Sequence, residues 1–115
     1  MNITSQEYQK ILDTAPADHN SNEFLLFLRE NNNVLMETPE WLVIENVKYH
    51  TLEKPWYTAF YQGSDWVDSL KLQMLQHDFP EYRYLIHSVF GQTVKRFHIH
   101  LLRMDIEYTL PSICK

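Results

Sequence analysis

The sequence predicts an α+β domain built on an antiparallel sheet of about five strands, because three features coincide. Strand-like runs follow one another through connections of hairpin length, a helix-period segment interrupts them once, and two shorter helical segments precede them. The 115 residues are 44% hydrophobic and 14% aromatic, which supplies one compact core and leaves too little chain for a second. Two glycines, five prolines and a charged fraction of 22% exclude a low-complexity or disordered chain. The expected organisation is a single domain over 1–115, with helices over 1–31, a sheet core over 34–104 and a tail over 105–115.

Thr4 and Glu7 have capping-box spacing, and Ile3, Tyr8, Ile11 and Leu12 form the apolar face of a first helix ending near Asp13. A second helix is expected over Asn22 to Glu30, capped by Asn20 or Ser21, with Phe24, Leu25, Phe27 and Leu28 as its buried stripe. Val34 to Thr38 reads as a short strand, and Trp41 to Val47 as a second, too continuously apolar for a surface ribbon. Pro55 to Tyr61 is a third strand rich in aromatic residues. Gly63-Ser64-Asp65 offers a turn and an N-cap for the main helix, Trp66 to about His77, which is expected to pack across one sheet face. Asp78-Phe79-Pro80 ends it, and Tyr82 to Val89 is the fourth strand. His77 reads as a helix C-terminal cation, and His19 and His50 as solvated loop residues.

The fifth strand carries the chemistry. From Lys95 onward the chain alternates, with Phe97, Ile99 and Leu101 on one face and Arg96, His98, His100 and Leu102 on the other. Side chains two apart on a strand stand ~7 Å apart on the same side, so His98 and His100 can reach one small ligand beside a guanidinium. From Tyr82 through Met104 the chain has Arg83, Lys95, Arg96 and Arg103 and no acidic residue, although the net charge is −5. Imidazole can act as nucleophile, base or acid near neutral pH, and guanidinium pairs bidentately with phosphate oxygens. Periodicity alone is most often the mark of a half-exposed strand of an antiparallel sheet.

Gly91-Gln92-Thr93-Val94, one further residue, then Arg96-Phe97-His98-Ile99-His100-Leu101-Leu102 resembles the signature of the histidine triad (HIT) superfamily. The preceding strand, Tyr82 to His87, is similar to the one ahead of that signature. The resemblance covers roughly Val34 to Arg103, and implies a HIT-like core over 34–104. It also implies nucleotide binding and, in an active member, hydrolysis or nucleotidyl transfer at the α-phosphate. His98 takes the nucleophile position, attacking phosphorus to form a nucleotidyl-imidazole while a backbone acceptor holds its other ring nitrogen. His100 binds a non-bridging oxygen or trades a proton. Gln92 and Thr93 hydrogen-bond the phosphate or leaving group, and Glu45 and Asn46, at the end of the second strand, meet ribose hydroxyls.

The departures are specific. Arg96 stands where the family has its first histidine, and His87 where it usually has Asn; both are counted among the substrate-binding residues. Guanidinium stabilises phosphoryl charge but donates no proton at neutral pH, so activity is expected to be slow or confined to good leaving groups. A catalytically degenerate HIT-like module that binds a nucleotide or a protein partner is the alternative, its aromatic residues serving a core or a homodimer face. A three-imidazole zinc site from His87, His98 and His100 is the metal reading, opposed by Arg96 on the same face; no cofactor is expected.

The acidic net charge argues against a general nucleic-acid coat. The lone Cys114 suits a reducing cytoplasm, and no apolar run approaches the ~20 residues that span a bilayer.

Overall fold

The computed structural model describes residues 5–63, 65–86 and 94–108. Two helices lead, α1 over Ser5–Leu12 and α2 over Asn22–Asn31, followed by β1 over Val34–Glu37, β2 over Trp41–Glu45 and β3 over Trp56–Tyr61. Helix α3 spans Ser69–Asp78, then β4 spans Tyr82–Ile86 and β5 His98–Arg103. The strands form one antiparallel sheet in the order β1-β2-β3-β5-β4, as the α+β reading expects. Among the described residues no helix is long and apolar enough to cross a membrane.

Pleating sends alternate side chains to opposite faces, and each face has its own core. On one side Trp41, Val43, Ala59, Tyr61, Ile99 and Leu101 pack with Leu75 of α3 and with Phe79. On the other, Leu42, Ile44 and Phe60 meet Phe24, Leu25 and Leu28 of α2. Helix α2 starts where Ser21 Oγ accepts the Phe24 amide hydrogen at 3.2 Å, one of the two caps the sequence offered.

Helix α3 departs from expectation at its start. Asp68, not Asp65, is the cap, its carboxylate accepting from the Lys71 amide at 3.0 Å. Asp65 is engaged elsewhere, by Lys71 Nζ at 2.8 Å and by the Tyr61 hydroxyl. With that later start the sheet-facing positions are Leu72, Leu75 and Phe79, at 3 and 7 residue offsets, and Trp66, Leu70 and Met74 are exposed. Strand β5 also starts late, at His98, so Lys95, Arg96 and Phe97 precede the ladder. The tail packs on the domain as far as Tyr108, whose hydroxyl donates to Pro55 O at 2.7 Å and accepts from the Arg103 amide at 3.2 Å.

Candidate functional site

The register of β3 against β5 builds the site. Thr58 pairs with His100 and Phe60 with His98, so both imidazoles stand on the α2 side of the sheet, opposite Ile99 and Leu101. Their ring centroids are 5.2 Å apart, and each residue is 5% exposed. They line a cavity of about 160 Å³ with Glu45, Thr58 and Phe60 from the strands, Asn46 just past β2, Tyr8 from α1, and Asn32, the α2 C-cap.

The two rings carry opposite tautomers, and neighbouring atoms dictate both. His98 Nδ1 lies 2.7 Å from Arg96 O; a carbonyl only accepts, so Nδ1 holds the proton and the neutral ring's lone pair is on Nε2. His100 is the reverse. Trp56 Nε1, which can only donate, points at His100 Nδ1 from 3.2 Å, so Nδ1 carries the lone pair and Nε2 the proton. Thr58 Oγ1 lies 3.1 Å from the same nitrogen and donates to it. Thr58 in turn accepts from Asn46 Nδ2 at 3.2 Å. The Asn46 amide cannot turn over, because its Oδ1 accepts the amide hydrogens of Lys48 and Tyr49 at 3.0 and 3.2 Å. A one-way chain of donors thus runs from the end of β2 to His100.

Of the residues the sequence singled out, His98, His100, Glu45 and Asn46 share this cavity. Glu45 Oε2 accepts from Asn33 Nδ2 at 3.0 Å, and its other oxygen lies 3.8 Å from His50 Nε2. Gln92, Thr93 and His87 lie outside the described residues.

Arg96 stays on the α2 side of the sheet, where the alternation placed it, but it is spent on the fold. It is buried, and its Nε donates to Tyr61 O at 2.8 Å while Nη1 donates to His19 O and Ser21 O at 3.2 and 3.4 Å. It does not line the cavity; it fastens the approach to β5 to the end of β3 and the start of α2. Burial lowers its pKa, with the Asp18 charge opposing. Among the described residues the lysine that lines the cavity is Lys48, its ammonium 5.4 Å from the Tyr49 ring centre. His19 and His50 are also not the solvated loop residues expected. His19 Nδ1 accepts from the Lys95 amide at 2.8 Å and its ring stacks on Phe24, while His50 Nδ1 accepts from the Trp56 amide at 3.0 Å.

Sequence reasoning passed over Thr58, Trp56, Asn32, Tyr8 and Lys48. Thr58 had a local signal, as the lone aliphatic hydroxyl in an aromatic strand and two residues from Trp56 on the same face. Asn32 and Tyr8 had none, since helix packing brings them in. Among the described residues no group of three or more His, Cys, Asp or Glu is arranged to hold a metal ion. No family model matches the chain, and searches of curated proteins and of solved structures return no significant match.

Proposed function

We propose that the chain is a HIT-like nucleotide-binding protein that acts at the α-phosphate of a nucleotide as a hydrolase or nucleotidyl transferase, with His98 as nucleophile. The observation that carries this reading is the pair of opposite tautomers on adjacent rings at one cavity. His98 presents a lone pair on Nε2 for attack on phosphorus, its other nitrogen held by Arg96 O. His100 presents an N–H that can donate to a non-bridging phosphoryl oxygen and so stabilise charge in the transition state. Attack forms the Nε2–P bond and breaks the bond from phosphorus to the leaving group; water or another acceptor then takes the nucleotidyl group and restores the imidazole. Lys48 and the Asn46 amide support the same anion and its sugar. The antiparallel sheet crossed by α3 on one face suits the HIT resemblance of Gly91 to Leu102.

A non-catalytic nucleotide-binding module is the second reading, and Arg96 favours it. The residue at the family's first histidine position is a clamp bonded to three carbonyls, so it supplies no proton to a leaving group. Loss of a general acid costs ~10²- to 10⁴-fold in rate for poor leaving groups.

The deciding experiment is turnover of a dinucleoside polyphosphate by wild type and His98→Ala, with acid-quench mass spectrometry for a His98 nucleotidyl adduct. An adduct and its loss in the variant support the enzyme. Saturable binding with neither adduct nor turnover supports the module, and no nucleotide binding overturns both.

A further inference from the structure

The sheet is the floor of the cavity, with Ile44 of β2, Thr58 and Phe60 of β3, and His98 and His100 of β5, and α2 gives one wall through Leu28 and Asn32. Helix α1 closes over that floor with Tyr8, Gln9 and Leu12, whose spacing of three and four residues puts them on one helix face. With α1 seated, about 160 Å³ remains and each imidazole is 5% exposed. A cavity of about 150 Å³ in another protein accommodates benzene, so the enclosed space suits a phosphoryl group or a single ring. A nucleotide joins a base, a sugar and a phosphate. It reaches His98 only when α1 stands aside.

The helix is held weakly where it covers the site and firmly where it joins the domain. Its 8 residues fall short of the roughly 12–15 at which a helix persists by itself, so packing has to hold it. Yet none of residues 6–12 is buried, Tyr8, Ile11 and Leu12 being half-buried, and among the described residues neither core includes an α1 side chain. Asn32 Nδ2 donates to the Tyr8 hydroxyl oxygen at 2.9 Å and latches α1 to the end of α2, a bond of modest net worth. The base of the arm differs. Ala15 packs against the core under α2, His19 Nδ1 accepts the Lys95 amide hydrogen, and Ser21 caps α2. Between arm and base, Asp13 and Thr14 are exposed, and Pro16 has no amide hydrogen with which to continue the helix.

We propose that α1 is an autoinhibitory lid over the histidine pair: latched through Tyr8 to Asn32 it admits a phosphate-sized anion, and a nucleotide gains His98 only by displacing it about Asp13 and Thr14. This regulation rests on the nucleotide reading of the same cavity. Because a nucleotide binds only the open form, its observed affinity is the intrinsic affinity reduced by the open fraction. Weakening the latch therefore tightens nucleotide binding, although it removes side chains that line the cavity. Phosphate, which fits beneath the seated helix, is indifferent to it.

The test is calorimetric titration of the full chain with AMP and with inorganic phosphate, in wild type and in the double variant Tyr8→Ala with Leu12→Ala. The variant is expected to bind AMP about tenfold tighter, as the open fraction rises, with phosphate affinity level. Its thermal midpoint should hold, since neither side chain belongs to a core. Hydrogen exchange of the α1 amides in wild type should quicken when AMP binds, because the displaced helix loses protection. Should the double variant fail to fold, Tyr8→Phe removes the latch hydroxyl alone and is expected to tighten AMP binding about threefold. AMP affinity that falls or stays level in the variants, an equal gain for phosphate, or α1 amides that gain protection with AMP overturns the lid and leaves nucleotide binding standing. No AMP binding by any of these chains overturns both.

Discussion

Under α3 the sheet is closed by apolar side chains across β2, β3 and β5, whereas under α2 the packed apolar cluster covers only β2 and part of β3. The first face joins Trp41, Val43, Ala59, Ile99 and Leu101 to Leu75 and Phe79. On the second, Leu42, Ile44 and Phe60 are covered by Phe24, Leu25 and Leu28, and that cluster does not extend to β5. Thr58, His98 and His100 take over, each buried and each hydrogen-bonded. Polar groups are tolerated under a helix only where partners satisfy them, so this half-face gives up apolar contact in exchange for oriented nitrogen atoms. The teaching of the contrast is that β5 divides its labour by parity over its first four residues: Ile99 and Leu101 hold the fold together, and His98 and His100 face the cavity.

The largest expected effect tests that division directly. His98→Ala should lower turnover of a nucleotide ester by at least about 10³-fold, because the bond-forming nitrogen is removed. Leu101→Ala, three residues on and facing α3, should leave kcat/KM close to wild type while costing about 2–5 kcal/mol in urea unfolding. Turnover lost in Leu101→Ala to the same degree as in His98→Ala would break the division.

Parity was the legible part. Alternation is a backbone property, so Ile99 and Leu101 on one side and His98 and His100 on the other could be read from consecutive residues. The partners of the histidines could not, because Thr58 meets His100 only through a ladder register set 42 residues apart. Arg96 shows the limit of alternation: it gives the face, but not that three backbone carbonyls claim the guanidinium before the ladder begins. The start of α3 shows competition between two equally good caps. Asp65 and Asp68 both suit an N-cap, and Asp68 takes that place while the Tyr61 hydroxyl and Lys71 hold Asp65.

Arg96→Met sharpens the same comparison from the edge of the cavity. Removing the guanidinium strands one buried and two part-buried carbonyls, so the expected cost is about 1–3 kcal/mol of stability. Nucleotide affinity should change by less than about threefold, since the residue does not line the cavity. A tenfold loss of affinity with an unaltered unfolding midpoint would instead make Arg96 a phosphate ligand. Thr58→Val is smaller still. It removes the hydroxyl that passes the Asn46 donor chain to His100 but leaves the Trp56 indole in place, and turnover should fall about tenfold, or roughly 1.4 kcal/mol.

The smallest effect lies on the other face, and pH exposes it. Lys71 Nζ and the Tyr61 hydroxyl both bond the Asp65 carboxylate, in that order of influence, and hold its pKa down at about 2. In the unfolded chain the same carboxyl titrates near about 3.9. A folded-state pKa below the unfolded one favours folding above the unfolded value, and the benefit is lost as pH falls towards about 2. Asp65→Asn should therefore unfold more easily than wild type at pH 7 by an amount that is constant down to about pH 4 and vanishes near about pH 2. Because Asp65 is exposed, the difference should shrink in 0.5 M salt, about three times the physiological ionic strength. Nucleotide affinity at pH 7 should not move, since the bonds lie under the closed face; a matching loss of affinity would mean that the two faces are coupled through β3.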